Sequence, residues 1–439
     1  MNPLVQLGEL GQSPWYDYIR RGLISSGDLK ELIDNDGLKG VTSNPAIFEK
    51  AIAGSTDYDP SLKQIASDVT SVKEIYETLA TRDIQDAADL MLEVYEATDR
   101  HDGYVSFEVS PDLAFDTAGT IEEAIRLHKA VSRENVLIKV PATEEGVPAI
   151  EHLLSQGINI NVTLLFSVKM YEKVAWAYIS GLEKLAASGG DLSKASSVAS
   201  FFISRVDSLI DGILEEKLKS ATRSRDRASL RSLMGKVAIA NAKYAYHSYS
   251  DIFSSDRFKA LERKGAKAQR LLWASTGTKN PKYPDTYYVD ELIGPNTVNT
   301  MPADTYNAFR DHGQVRPALL EGLDEAFESL ELLADCGIDI ETASDELLKD
   351  GAKKFVDAFE QLMHVIGVKR EELLGEKLDR QTFSLAGAED SINTKLEELH
   401  GQNFIRRLWA KDPSLWHDES RHQQIIRNAL GWLHAAEYE

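Results

Sequence analysis

Eight short apolar runs alternate with helical segments from about residue 15 to residue 300, these runs carry polar residues on one face only, and the rest of the chain reads as helix. Together these observations predict an α/β protein, a (β/α)8 TIM barrel with a C-terminal helical extension. The strand candidates are Trp15–Tyr18, Gly40–Asn44, Gly103–Ser110, Val136–Ala142, Ile158–Leu165, Val198–Ile203, Arg270–Ser275 and Thr297–Met301. Helices are expected between them, as at Ile121–Val131 and Val168–Ser188. The competing architecture is an open doubly wound sheet. It usually carries a glycine-rich phosphate turn after its first strand, and none is present here.

Residues 1–366 are read as the barrel. Within them, residues 215–269 are longer than one crossover and rich in Lys and Arg, as at Lys219–Arg227. This predicts an inserted surface helix and loop around a helix Val237–Tyr246. Beyond the last strand, helices are expected at Val315–Leu333 and Ala343–Val365, the second with a stripe of Ala352, Phe355, Val356, Phe359 and Leu362. Residues 367–439 form the extension, which holds Trp409, Trp416 and Trp432 of the chain's 6 tryptophans. That density predicts packing on the barrel or on a partner, so self-association or docking through the extension is expected.

Composition narrows the function. The 439 residues are 43% hydrophobic and 27% charged, the range of a soluble globular protein. A net charge of -21 argues against nucleic acid as a partner, because phosphate backbones are held by clustered Lys and Arg. Anionic small molecules stay compatible if their site is locally positive. The single cysteine, Cys336, excludes an internal disulfide and a multi-thiolate metal site, and its apolar helical context reads as core. The N-terminal Met1–Gln6 lacks the features of a signal peptide, and no run approaches the roughly 18 apolar residues of a membrane span. The expected location is cytoplasmic, with no membrane contact.

Side chains on a strand alternate between faces. In Val136–Pro141, Val136, Ile138 and Val140 share one face, and Leu137 and Lys139 share the other. The same sorting sets Tyr104, Ser106, Glu108 and Ser110 against Val105, Phe107 and Val109, and Asn159, Asn161 and Thr163 against Ile160, Val162 and Leu164. The outward face of a barrel strand meets helices and must be apolar, so the polar set points into the lumen. Asp17, Asn44, Glu108, Lys139, Asn161, Thr163 and Ser200 are thereby expected around one mouth. A buried lysine held by a carboxylate for stability alone is the simpler reading of Lys139. The convergence of the lysine with two carboxylates, amides and hydroxyls from six strands weighs against it.

Burial disfavours an ammonium, and a neutral amine is a nucleophile towards carbonyls. A lumenal lysine with two carboxylates therefore points to Schiff-base chemistry, in which the iminium acts as an electron sink for C–C cleavage. Asp17 and Glu108 are the candidate acid–base partners. His101, His128, His152 and His247 are scattered without metal-ligand spacing, so neither a metal nor another cofactor is expected.

Several separated motifs carry a family resemblance. Gly40-Val41-Thr42-Ser43-Asn44-Pro45 resembles the T-[ST]-N-P signature of the transaldolase family, and Val136–Ala142 resembles its Schiff-base lysine motif. Gly157–Ser167 is similar to the family's G-I-x-x-N-x-T-L-x-F-S segment, all in family order over about residues 13–366. The resemblance implies a metal-independent barrel enzyme of the pentose phosphate pathway that moves a dihydroxyacetone unit between sugar phosphates. It implies that Lys139 forms the Schiff base, that Asp17 takes the C4 hydroxyl proton, and that Glu108 shuttles protons through a water that Thr163 helps hold. Asn44, Asn161 and Ser200 would bond the dihydroxyacetone unit and Phe202 would wall the pocket. Arg205, in Ser200–Arg205, would bind the substrate phosphate. Leu271–Lys279 departs from members with a second arginine and looks like a subgroup with S-T-G-x-K, which assigns Ser275 and Lys279; a solvated Lys279 is the alternative.

The tail resembles the junction of transaldolase–phosphoglucose isomerase fusions, with too few residues remaining for the isomerase. Two rivals stand beside this reading. One is a related aldolase that releases free dihydroxyacetone, a group that resembles transaldolase but has an amide at the acid–base position held here by Glu108. The other is a non-catalytic barrel serving as an interaction module.

Overall fold

The structure, a computed structural model, describes residues 2–66, 71–374, 389–402 and 404–429. Eight strands pair in chain order into a closed parallel barrel: β1 (Gln12–Tyr16), β2 (Gly40–Val41), β3 (Tyr104–Glu108), β4 (Val136–Pro141), β5 (Ile160–Leu165), β6 (Ser197–Phe202), β7 (Arg270–Ala274) and β8 (Thr297–Met301). β1 closes the ring on β8. Val136, Ile138 and Val140 face the helical layer, Leu137 and Lys139 face inward, and both sets are buried. The sheet is thus apolar outside and polar within, as a parallel barrel requires.

The strand ends differ from the sequence expectation for identifiable reasons. β1 starts at Gln12 rather than Trp15; Pro14 lacks an N–H, yet its carbonyl accepts from Lys39 N at 2.8 Å. β2 stops at Val41, because Asn44 caps α1 (Pro45–Ala53), whose first residue is a proline suited to that position. A side chain at Gly40 would meet the Trp15 ring at 2.4 Å, so the closest approach of β1 and β2 needs glycine there.

The helices that position the site are α2 (Asp59–Ile65), α3 (Val168–Ala187), α4 (Ser204–Ser220), α5 (Val237–Ser254), α6 (Leu323–Asp335) and α7 (Ile340–Leu373). The expectation of a surface insertion at residues 215–269 is corrected at α5. Val237, Ala238, Ile239, Ala240, Asn241 and Ala242 are all buried, since α5 is covered by α3 on one side and α6 on the other. The basic residues that dominated the sequence reading lie mainly on the exposed stretch before it. The helix expected at Val315–Leu333 begins only at Leu323. Pro317 and Gly322, the latter in the left-handed region at φ +61°, break the chain into a short 3-10 turn first. Cys336 follows that helix and is half-buried rather than core.

The extension folds as α8 (Glu389–Gly401), α9 (Phe404–Trp409) and α10 (Ser420–Ala429). It touches the barrel through charge more than through tryptophan. Arg406 of α9 and Lys369 of α7 both reach Asp59 of α2 and the Ser55 carbonyl. Trp409 and Trp416 stay exposed, the latter edge-on to Phe404, and Trp432 lies outside the described residues. Among the described residues no helix is long and apolar enough to cross a membrane.

The N-terminal end of the lumen is plugged by a buried ionic cluster. Arg270 donates to Asp102 at 2.9 Å, to the Ser13 hydroxyl at 2.8 Å and to the His101 carbonyl at 2.5 Å. Burial alone would raise the Asp102 carboxyl, but Arg270, then His101 and Ser13, hold it below the usual carboxylate range. Its contribution is therefore present at neutral pH and is lost as pH falls through the depressed pKa. Arg270→Met should lower unfolding free energy by about 3–5 kcal/mol in urea titrations, and adding Asp102→Leu should recover part of the loss. An unchanged midpoint for the single variant would show that the plug is dispensable.

Candidate active site

Three ionisable groups meet at the C-terminal mouth. Lys139 lies in register with Glu108 on one side and Asn161 on the other. Its Nζ donates to Glu108 Oε2 at 3.1 Å and to the Ser43 carbonyl at 3.0 Å. Only 5% of Lys139 and 8% of Glu108 is exposed. Asp17 follows β1 and accepts from Thr42 Oγ1 at 2.6 Å; Thr42 in turn shares a hydrogen bond with Thr300 at 2.7 Å.

Burial is the largest influence on both carboxyls and raises both. For Glu108, Lys139 opposes the rise and Asp17 adds to it. For Asp17, Thr42, Lys139, Arg205 and Lys279 oppose it without cancelling it. The lumen thus favours protonated carboxyls at a pH where exposed ones would be ionised. An amine within hydrogen-bond reach of such a group can attack a carbonyl and have the departing oxygen protonated.

The neutral residues divide into two kinds. Asn161 is clamped: its Nδ2 donates to Ser106 Oγ at 3.0 Å, and Ser200 Oγ donates to its Oδ1 at 2.6 Å. Ser200 and Asn161 therefore form one unit rather than two independent contacts. Asn44 uses its Oδ1 to cap α1 through Ile47 N at 3.0 Å. Thr163 Oγ1, two residues beyond Asn161 on the same face, is buried with no protein partner. Leu164, next in chain, sits at φ +59° where the pairing of β5 with β6 shifts register, a strained backbone beside that hydroxyl. Tyr171 and other buried polar atoms elsewhere also lack partners, so the position of Thr163 carries the argument, not the orphan alone.

The far side of the mouth is cationic. Arg205, the second residue of α4, lies over the Phe202 ring at 5.2 Å, and its Nη1 is buried without a protein partner. Ser275 adopts φ +55° and shares a hydrogen bond with Ser204 at 2.9 Å. Lys279 is exposed, yet its charge reaches Asp17. Phe166 packs on Phe202 with centroids 5.2 Å apart.

Ten of the eleven sequence-predicted residues thus lie on strands β1–β7 or the loops just after them, and Arg205 lies in the first turn of α4, the helix after β6. Four further groups went unassigned. Ser106 stands on a polar face sorted above, and Thr42 shares a strand face with Asn44, so alternation alone could have nominated both. The Ser43 carbonyl is backbone and leaves no side-chain signal. Phe355, whose ring centre is 5.9 Å from Lys139 Nζ, was read as helix core because its stripe on α7 looks the same whether it meets a helix or a barrel mouth. Among the described residues, one group could hold a metal ion: His417, Glu419 and His422, exposed near the start of α10 and not on the barrel strands.

Comparison with known proteins shows the family. The family profile described as Transaldolase/Fructose-6-phosphate aldolase matches residues 14–366. The chain is 52% identical to "Transaldolase" of Trichodesmium erythraeum over 374 residues, covering 85% of this chain and 98% of that protein. It is 50% identical to "Transaldolase 2" of a Nostoc species, covering 83% and 96%, and 47% identical to "Transaldolase" of Saccharopolyspora erythraea, covering 84% and 97%. The chain belongs to the transaldolase/fructose-6-phosphate aldolase family.

Proposed function

We propose that this protein is a transaldolase of the pentose phosphate pathway, carrying a dihydroxyacetone unit from sedoheptulose 7-phosphate or fructose 6-phosphate to glyceraldehyde 3-phosphate or erythrose 4-phosphate. The observation that carries this reading is Lys139 Nζ buried in the lumen, 3.1 Å from Glu108 and on the same mouth as Asp17. The relatives named transaldolase, matched over nearly their whole length, support it. The single cysteine fits a reducing cytoplasmic setting.

In this mechanism the Lys139 amine adds to C2 of the ketose as protonated Glu108 gives its proton to the C2 oxygen, and the Glu108 carboxylate then takes the proton from the nitrogen. Glu108 returns a proton to the carbinolamine oxygen, through a water held by Thr163, and water leaves as the iminium forms. Asp17 then takes the C4 hydroxyl proton. The C3–C4 bond breaks, its electrons move to the iminium as an enamine, and the aldose phosphate departs. The acceptor aldehyde enters and the same steps run in reverse, so no external oxidant or metal is needed for balance. The Ser200–Asn161–Ser106 chain holds the three-carbon unit, Asn44 meets it from the other side, and Phe202 closes the pocket. Arg205, with Ser275 and Lys279, binds the phosphate; Arg suits that task through its planar fork.

Three measurements test this. Borohydride reduction with fructose 6-phosphate, followed by peptide mapping, should place a stable adduct on Lys139, and Lys139→Met should lose the adduct and at least about 10⁴-fold in kcat. An adduct elsewhere overturns the mechanism. The rival aldolase reading predicts fructose 6-phosphate cleavage without an acceptor; here cleavage should depend on added aldehyde, and equal rates without it would favour the rival. Both carboxyls are raised by burial, so the base form of Asp17 is lost early as pH falls. The acid limb of kcat/KM should therefore lie above the ordinary carboxylate value of about 4. A limb at or below that value would contradict the environment described.

A further inference from the structure

We propose that Asp207 and Asp211 are positioning residues for the substrate phosphate, latching the loop that carries Ser275 and Lys279 onto the helix that carries Arg205. The inference rests on the phosphate role given above to those three residues. Asp207 and Asp211 lie one turn apart on α4, and both are buried. Asp207 Oδ1 accepts from Ala238 N at 2.8 Å and its Oδ2 from the Tyr288 hydroxyl at 3.0 Å. Asp211 Oδ1 accepts from Gly235 N at 3.0 Å and its Oδ2 from the Tyr283 hydroxyl at 2.7 Å. The two carboxylates therefore each make the same pair of bonds. One goes to a backbone amide at the start of α5, the other to a tyrosine in the segment that follows Lys279.

Nothing in this arrangement resembles an ordinary structural ion pair. Every hydrogen-bond donor is neutral, and burial pushes Asp207 up to about 7. Apolar side chains would join a helix to a loop at less cost than two buried carboxylates. What hydrogen bonds supply, and apolar contacts do not, is a fixed direction and distance. Position matters here because the loop has little regular structure of its own between Ser275 and Tyr287. Near Arg205 it is tied by Ser204 N to the Ser275 carbonyl at 3.0 Å and by the paired hydroxyls of the same residues. At its far end the tyrosines tie it to Asp207 and Asp211. Gly235 completes the clasp: the Tyr287 hydroxyl donates to its carbonyl at 3.0 Å, and a side chain there would strike the Tyr283 ring at 2.6 Å. Ser275 is itself the near tie and Lys279 lies between it and the tyrosines, so the position of both relative to Arg205 is set by the two ties.

The test separates phosphate binding from chemistry. KM and kcat for fructose 6-phosphate are measured beside the rate of borohydride trapping with unphosphorylated dihydroxyacetone, in the full-length protein. Arg205→Ala serves as the reference and should raise KM while sparing the trapping rate. Asp207→Ala should raise KM about tenfold, with kcat and trapping unchanged, as expected for a lost hydrogen bond to a charged group. Asp207→Asn should restore KM, because an amide accepts from Ala238 N and donates to the Tyr288 oxygen. Tyr288→Phe deletes one oxygen and should raise KM in the same direction if the alanine variant does not fold. Should Arg205→Ala discriminate while Asp207→Ala and Tyr288→Phe leave KM unchanged, or slow trapping equally, the latch is overturned. Should Arg205→Ala itself fail to discriminate, the phosphate reading falls and takes the latch with it.

Discussion

A lysine enclosed in a barrel lumen is the constraint from which the rest of this structure follows. The outer faces of β3, β4 and β5 are committed to the helical layer, so every polar group on those strands must be satisfied inward. Lys139 meets that demand with one carboxyl and one backbone carbonyl. The Ser43 carbonyl is available only because β2 ends after two residues and the chain turns at Asn44 into α1. A longer β2 would spend that carbonyl on a strand partner. The proline after Asn44 therefore has a consequence for the amine, not only for the helix it begins.

Much of this was legible in the sequence because barrel strands obey a strict alternation. One period-two rule sorted Glu108, Lys139, Asn161 and Thr163 onto a single face, and their register then brought them together. The helices were less legible. The charged stretch Lys219–Arg227 points residues 215–269 to the surface, although most of α5 is buried by tertiary packing. Phe355 shows the same limit from the opposite direction. Helical periodicity reports that a face is covered, and it cannot report whether the cover is another helix or the mouth of a barrel. Contacts made by backbone atoms, such as the Ser43 carbonyl, leave no trace in residue identity at all.

α7 links the catalytic mouth to the extension. Near its middle it sets Phe355 over Lys139, and Gly351 leaves room for Arg205, since a side chain there would come within 3.4 Å of Nη1. Towards its end Lys369 is buried against Asp59, where burial and then Arg406 lower its pKa while Asp59 opposes them. Lys369 and Arg406 thus share one carboxylate, Asp59, and one carbonyl, Ser55 O. The tail is held at α2 by the same acceptors that hold the helix. Its attachment therefore bears on the helix that sets Phe355 over Lys139.

The overall charge of -21 poses a problem for an enzyme of phosphorylated sugars, and the local structure answers it. At physiological salt the field of distant surface charges is screened beyond roughly 8 Å. On the proposed reading, what a phosphate meets at the mouth is Arg205, half-buried on the Phe202 ring with one nitrogen lacking a protein partner, and Lys279 in solvent. A charge removed from water interacts more strongly than a solvated one. Arg205 should accordingly dominate affinity and Lys279 should act mainly at longer range. The same burial that raises the Asp17 and Glu108 carboxyls lowers the Arg205 guanidinium, yet on the proposed reading it strengthens the pull of that cation on a phosphate.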